Sequence, residues 1–219
     1  MPEADAMRAL APPVPPEGRG VRLTSPEYKR DFRERQKEIH DASSWKLERR
    51  QYFEEQGDPS RDALRRGDWD AALRVFAEER DAVVAKAREN RRRRYTFHRV
   101  RVIDGAITPY LQWELHSLLQ QAELGANRVR VVTDEAVAEA ETVRPLPEMV
   151  VLGSHTLYQV LYTEDGVPLG AVRFTAPETV LAWERYITSL YAEGEDITSY
   201  FAREIAPLAA PVHERHEPE

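Results

Sequence analysis

HRVRVID (His98–Asp104) and NRVRVVT (Asn127–Thr133) are two alternating stretches joined through PYLQWELHSLLQQAEL (Pro109–Leu124), and their reading decides the fold. In the first, His98, Val100 and Val102 fall on one side of an extended chain and Arg99 and Arg101 on the other, the period of two that marks a strand. Thr108-Pro109 then supplies a cap and a first-turn proline. Leu111, Leu115, Leu118 and Ala122 recur at helical spacing, and Gly125 stops the helix. Strand, helix and strand with about two dozen linking residues fit a right-handed parallel crossover.

Working outward, MVVLG and TLYQVLYT read as strands, and Asp165-Gly166 makes a tight hairpin turn into VPLGAVRFT, so these strands are expected to be antiparallel. Ala176 to Glu193 reads as a helix with Val180, Trp183, Ile187 and Leu190 inward, and a short helix follows from Asp196 to Ile205. Upstream, the pattern from Tyr28 to Asn90 is helical. Tyr28, Phe32 and Ile39 share a stripe, and Ser44 can cap a second helix carrying Trp45, Leu47, Tyr52 and Phe53 to Gly57. Asp58-Pro59 opens a short helix to Gly67, and Asp68 caps a long one. RRGDWDAALRVFAEER (Arg65–Arg80) resembles one tetratricopeptide-type helix, but no second copy follows at a fixed period.

The predicted architecture is an α/β or α+β domain over residues 91–206, with a small mixed sheet containing one parallel crossover and a hairpin. A helical extension at 25–90 precedes it. The proline-rich lead at 1–24 and the charged tail at 207–219 are expected to be disordered. His213 and His216 in that tail have helical spacing but no third ligand nearby, so no metal is predicted.

The chain of 219 residues is 42% apolar and 32% charged, enough for a real core under a polar surface. It has no cysteine, which excludes disulfides, thiolate metal sites and cysteine nucleophiles. No apolar run approaches the roughly 18 residues of a membrane span. The N-terminal stretch also lacks the order of a secretory signal, so a cytoplasmic location without membrane contact is expected. The net charge of −7 is unevenly spread: eight basic residues and one acid between Lys86 and Arg101 give +7, leaving −14 elsewhere.

That basic run contains the binding candidates. Arg91, Arg92, Arg93 and Arg94 close a helix, where cations are favoured by about 0.3–1 kcal/mol each. This explains one or two of them and leaves a surplus for a partner. RVRV recurs in both predicted strands, so parallel neighbours would place Arg99, Arg101, Arg128 and Arg130 on one face, with the valines against the crossover helix. Two readings stand: an anion platform, or pairing with carboxylates from the N-terminal helices.

Catalytic motifs offer little. There is no glycine-rich phosphate loop, no nucleophile elbow and no zinc helix, and no cofactor is implied. Catalytic candidates are Glu114 and Tyr110, which share a helix flank with the binding candidate Trp113, and His155 between two predicted strands. Glu114 could be a tuned acid or an anchor for a strand arginine. His98 reads as a core histidine.

The run from Arg99 to about Tyr191 resembles an uncharacterised actinobacterial family of unknown function, often found beside helix-turn-helix regulators. The similar features are RVRVID, PYLQWEL, ELGANRVRVV, LPEMVVLGSHTLYQVLYTEDGVPLGA and the terminal WERY. Members carry acids near the third strand, where this chain has Glu148-Met149 and then Gly153-Ser154-His155, so the resemblance supplies no acid-based site there. It implies a fold and a regulatory setting, not a mechanism.

Three functions remain open. The first is a cytoplasmic regulatory or interaction protein that recognises a macromolecular, protein partner. The second is nucleic-acid binding through the 91–101 segment. The third is a small-molecule enzyme with a pocket near Tyr110, Trp113 and Glu114, at the strand ends by Asp104 and Thr133–Asp134.

Overall fold

The computed structural model describes residues 11–14 and 18–211. The elements in chain order are β1 (Val21–Thr24), α1 (Ser25–Glu38), β2 (Ser43–Glu48), α2 (Pro59–Arg65), α3 (Trp69–Glu78), α4 (Arg80–Arg92) and β3 (Thr96–Ile103). There follow α5 (Pro109–Glu123), β4 (Arg128–Thr133), α6 (Asp134–Val137), β5 (Glu148–Leu152), β6 (Thr156–Tyr162) and β7 (Pro168–Phe174). The last are α7 (Pro177–Glu193), β8 (Glu195–Asp196), α8 (Ile197–Tyr200) and a π-helical turn over Phe201–Ile205. Eight strands form one mixed sheet in the order β1-β7-β6-β5-β2-β3-β4-β8. β3, α5 and β4 make the expected parallel crossover, and β6 and β7 pair antiparallel across the Asp165-Gly166 turn.

Three expectations are corrected. Ser43–Glu48 is a strand, not a helix: Trp45 and Leu47 alternate with Lys46 and Glu48, and Tyr52 and Phe53 belong to the loop beyond. This strand pairs parallel with β3 and antiparallel with β5, so residues 25–90 supply the middle of the sheet and do not stand apart as an extension. Within the expected disordered lead, Val21–Thr24 forms the edge strand against β7. The remainder of the lead is described only at residues 11–14 and 18–20, and His213 and His216 lie outside the described residues.

The third correction concerns the arginine echo. The register sets His98 opposite Arg128, Arg99 opposite Val129 and Arg101 opposite Val131. Neighbours across a sheet share a face, so Arg99 and Arg101 point with Val129 and Val131, while Val100 and Val102 point with Arg128 and Arg130. The two RVRV copies pair one residue out of phase. The reason is burial: Val129 and Val131 pack with Leu111, Leu115 and Leu118 of α5, whereas Val100, Val102 and Val132 pack with Trp183, Ile187 and Leu190 of α7.

The sheet is thus covered on both faces. Helix α7 buries one. On the other, α5 with α2 and α3 covers one half and α1 the other, where Tyr28 and Phe32 pack on Val150, Tyr158 and Ala171. Between these two apolar clusters the covered face carries charged side chains from β2, β3 and β5.

Candidate functional site

Strand pairing itself assembles this charged row. Glu48 sits opposite Arg101, and Lys46 opposite Arg99. The Arg99 guanidinium grips Glu48 through Nε and Nη2 at 2.9 and 2.6 Å, and Lys46 Nζ donates to the same carboxylate at 2.5 Å. Burial would raise the Glu48 carboxyl, but Arg99 and Lys46 outweigh it and hold it well below the usual carboxylate range.

Arg101 is fully buried, and Glu114 of α5 answers it: Glu114 Oε2 lies 2.8 Å from Nε and 2.7 Å from Nη2. Its Nη1 donates to the carbonyls of Arg50 at 2.6 Å and Val102 at 3.1 Å. Glu114 is therefore bound to a strand arginine, one of the two sequence alternatives, and burial pushes its carboxyl up against the pull of Arg101. Arg101 in turn fixes the chain as it leaves β2.

That exit borders an open pocket of about 550 Å³ at the carboxyl ends of β2 and β3. Its lining includes Arg49, Arg50, Tyr52, Asp104, Glu148 and Tyr162, with Pro145, Leu146 and Pro147 on one side. Arg49 is held by Glu141 in two bonds, at 2.6 and 2.7 Å, and by Asp104 at 2.9 Å. Gln51 ties the loop to the end of β3, donating to Val102 O and accepting from the Asp104 N–H, both at 2.9 Å. Arg50 lies over the Tyr162 ring, 5.7 Å from its centroid, and donates to Glu164 O at 2.7 Å.

Glu148 is the distinctive group. It is 5% exposed, and its Oε1 accepts the backbone N–H groups of Arg49 at 2.8 Å and Arg50 at 2.6 Å. Its Oε2 is buried with no partner among the described residues, as is Arg50 Nε. Burial pushes the Glu148 carboxyl up to about 7, against the two N–H bonds that favour its charge. This pocket has the place expected for an open α/β sheet, at the strand ends by Asp104, but other residues line it.

Tyr110 and Trp113 stand elsewhere, in the core. Both are 4% exposed and, with Tyr52, they surround the buried Arg61 guanidinium at 5.2, 5.9 and 5.3 Å from their ring centroids. Trp113 Nε1 donates to Ser60 Oγ at 2.8 Å, which donates onward to Ala72 O. His155 is exposed in the turn between β5 and β6, at the opposite end of β5 from Glu148. The pocket expected near Tyr110, Trp113, Glu114 and His155 is thus filled core at three of these positions and remote surface at the fourth.

The basic run separates likewise. Arg93 donates to Gln36 O at 2.5 Å, at the end of α1, and lies 4.9 Å from the Tyr95 ring centroid. Arg94 pairs with Asp41 from a backbone at φ 49. Arg92 reaches Glu89 at 3.5 Å, and Arg91 is exposed. On the α7 face Arg130 binds the carbonyls that end α7, including Gly194 O at 3.1 Å, and Arg128 is exposed beside His98. His98 stacks on Trp45 with centroids 4.0 Å apart, and burial, aided by Arg128, lowers its pKa to about 4.

Sequence reasoning missed Glu148, Arg49 and Arg50. The available signal was an acid opening the apolar strand EMVVL, where a carboxylate enters a sheet covered on both faces.

No curated protein matches the chain. Among solved structures the chain has a distant likeness to TrmBL2, an archaeal chromatin protein whose structure shows a novel mode of DNA binding. The TM-score is 0.40 and the identity 10%, and the likeness covers 84% of this chain and 55% of that one. Residues 30–202 match the family described as "Domain of unknown function (DUF6879)", and the chain belongs to that family.

Proposed function

We propose that this protein is a cytoplasmic, regulatory recognition module that holds a small polar ligand in the pocket at the carboxyl ends of β2 and β3. The observation that carries the reading is Glu148. One carboxyl oxygen fastens the loop that walls the pocket, and the other is buried without a partner among the described residues. An unpaired buried oxygen costs about 1–3 kcal/mol, which a ligand donor can recover. The neighbouring lining is guanidinium, carboxylate, amide and phenol around a short apolar wall, suited to a neutral or zwitterionic molecule carrying both a donor and an acceptor. Because the same loop is bound by Arg101, occupancy would stiffen the exit from β2 and so reach the charged row inside.

The test is a thermal-shift screen of free amino acids, nucleosides and small amides against the full chain. At least one compound should raise the melting temperature and bind roughly tenfold more weakly to Glu148→Gln, the effect of losing one hydrogen bond to the buried carboxyl. A screen without hits, or hits indifferent to that substitution, would overturn the reading.

A second reading, contact with nucleic-acid phosphates, is favoured by the exposed end of α4, which presents Arg88, Arg91 and Arg92. Three phosphate contacts give a salt slope of about −2.7 on duplex DNA. Titration of labelled duplex at two salt concentrations should return that slope, and no binding at low salt would end this reading.

A further inference from the structure

Residues 11–14, Ala-Pro-Pro-Val, lie along a groove between α6, α7 and the loop at 143–147. Two cavities flank them, of about 230 and 340 Å³, and both are lined by Pro12 and Ala140. Tyr186 lines the first and Trp183 the second; the two rings meet edge-on with centroids 5.8 Å apart. Trp183 is 0% and Tyr186 3% exposed, yet among the described residues Trp183 Nε1 and Tyr186 Oη have no hydrogen-bond partner. Glu135, Glu139 and Glu193 stand around the first cavity.

These features fit one kind of ligand. A proline-rich strand is already extended, so ordering it costs little, and its carbonyls are acceptors without competing N–H groups. Grooves that read such strands use aromatic rings with a donor at the edge. Here two aromatic donors lack acceptors, a proline pair lies beside them, and considerable volume is left on both sides of it. The acidic rim favours cationic flanks.

We propose that the α6–α7 groove is a docking site for a proline-rich, basic-flanked segment of a protein partner, and that Ala11–Val14 occupies part of it within the chain. A partner segment displaces the internal one and directs its carbonyls to Trp183 Nε1 and Tyr186 Oη.

The test uses the full chain and a fluorescent peptide, RAPPVPPR, followed by anisotropy. Weakening the internal occupant with Pro12→Ala and Pro13→Ala should tighten peptide binding at least fivefold. Tyr186→Phe, which keeps its ring and removes the donor, and Trp183→Phe, which removes the donor with a smaller aromatic ring in place of the indole, should each weaken it at least fivefold while circular dichroism stays native. An acidic-flanked peptide, EAPPVPPE, should bind at least fivefold more weakly than the basic one. Failure of the peptide to bind the proline-substituted chain would overturn the proposal, as would equal binding to the phenylalanine variants. Should peptide binding instead track dissociation of a dimer that the proline substitutions abolish, the occupant is a second copy of this chain and the partner reading falls.

Discussion

Glu114→Gln is expected to destabilise the protein by about 3 kcal/mol, and Arg101→Met by about 5 kcal/mol, across the roughly 3–5 kcal/mol range for breaking a buried ion pair from one side. The two losses differ for a structural reason. Glutamine keeps an acceptor for Arg101 Nε, and Arg101 retains the carbonyls of Arg50 and Val102. Methionine at 101 leaves Glu114 facing Glu48 without its cation, and it frees the Arg50 carbonyl as well. The double variant Arg101→Met/Glu114→Gln removes both charges. It should recover more than half of the larger loss yet stay about 1–2 kcal/mol below the parent, because the Arg50 carbonyl stays unsatisfied. Urea unfolding of the parent, the two single variants and the double variant closes the cycle, and these losses put the coupling at about 6–7 kcal/mol. Additive losses would mean that Arg101 and Glu114 act independently, and the buried row would lose its place as the fastening of the pocket loop.

Much of the topology was legible because the crossover obeys local rules. Val129 and Val131 alternate, Leu111, Leu115 and Leu118 recur, and Thr108-Pro109 and Gly125 mark the helix ends. Strand β2 was not legible by the same means. Its six residues carry two apolar side chains, and its neighbours in the sheet are residues 96–101 and 149–152, contacts that no local window contains. The register was hidden for a related reason. The identical RVRV letters suggested matched rows, but the choice between two alignments was made by which valines each covering helix could bury. The candidate pocket shares this origin: Arg49, Asp104 and Glu148 are brought together by strand ends distant in sequence. Glu114 was different. A carboxylate beside two aromatics announced burial, and its partner came from the expected strand.

Glu148 and His98 should contribute opposed slopes to the stability profile across mildly acidic pH. The Glu148 carboxyl rises from 4.5 to about 7 on folding, so the folded chain binds the proton more tightly. Its stabilising contribution is complete below pH 4.5 and is lost as pH rises through 7. The His98 imidazole falls from 6.5 to about 4, so its contribution is present above pH 6.5 and is lost as pH falls towards 4. The Glu148 shift corresponds to about 3 kcal/mol at most, solvent screening at half-buried His98 reduces its share to roughly half of that, and between pH 4.5 and 6.5 the two oppose each other. Single substitutions should separate them. Glu148→Gln retains an oxygen for the N–H groups of Arg49 and Arg50 and removes the proton, so relative to the parent it should gain about 2–3 kcal/mol from pH 5 to 8. His98→Phe keeps the stack on Trp45 and should lose about 1 kcal/mol relative to the parent over pH 5 to 6.5, the value left after solvent screening at a half-buried site. Urea midpoints at pH 5, 6, 7 and 8 provide the comparison. If Glu148→Gln follows the parent slope, the carboxyl is already ionised in the folded chain at pH 5. The pocket then holds a fixed negative charge in place of a proton-bearing acid, and its ligand would have to be a cation.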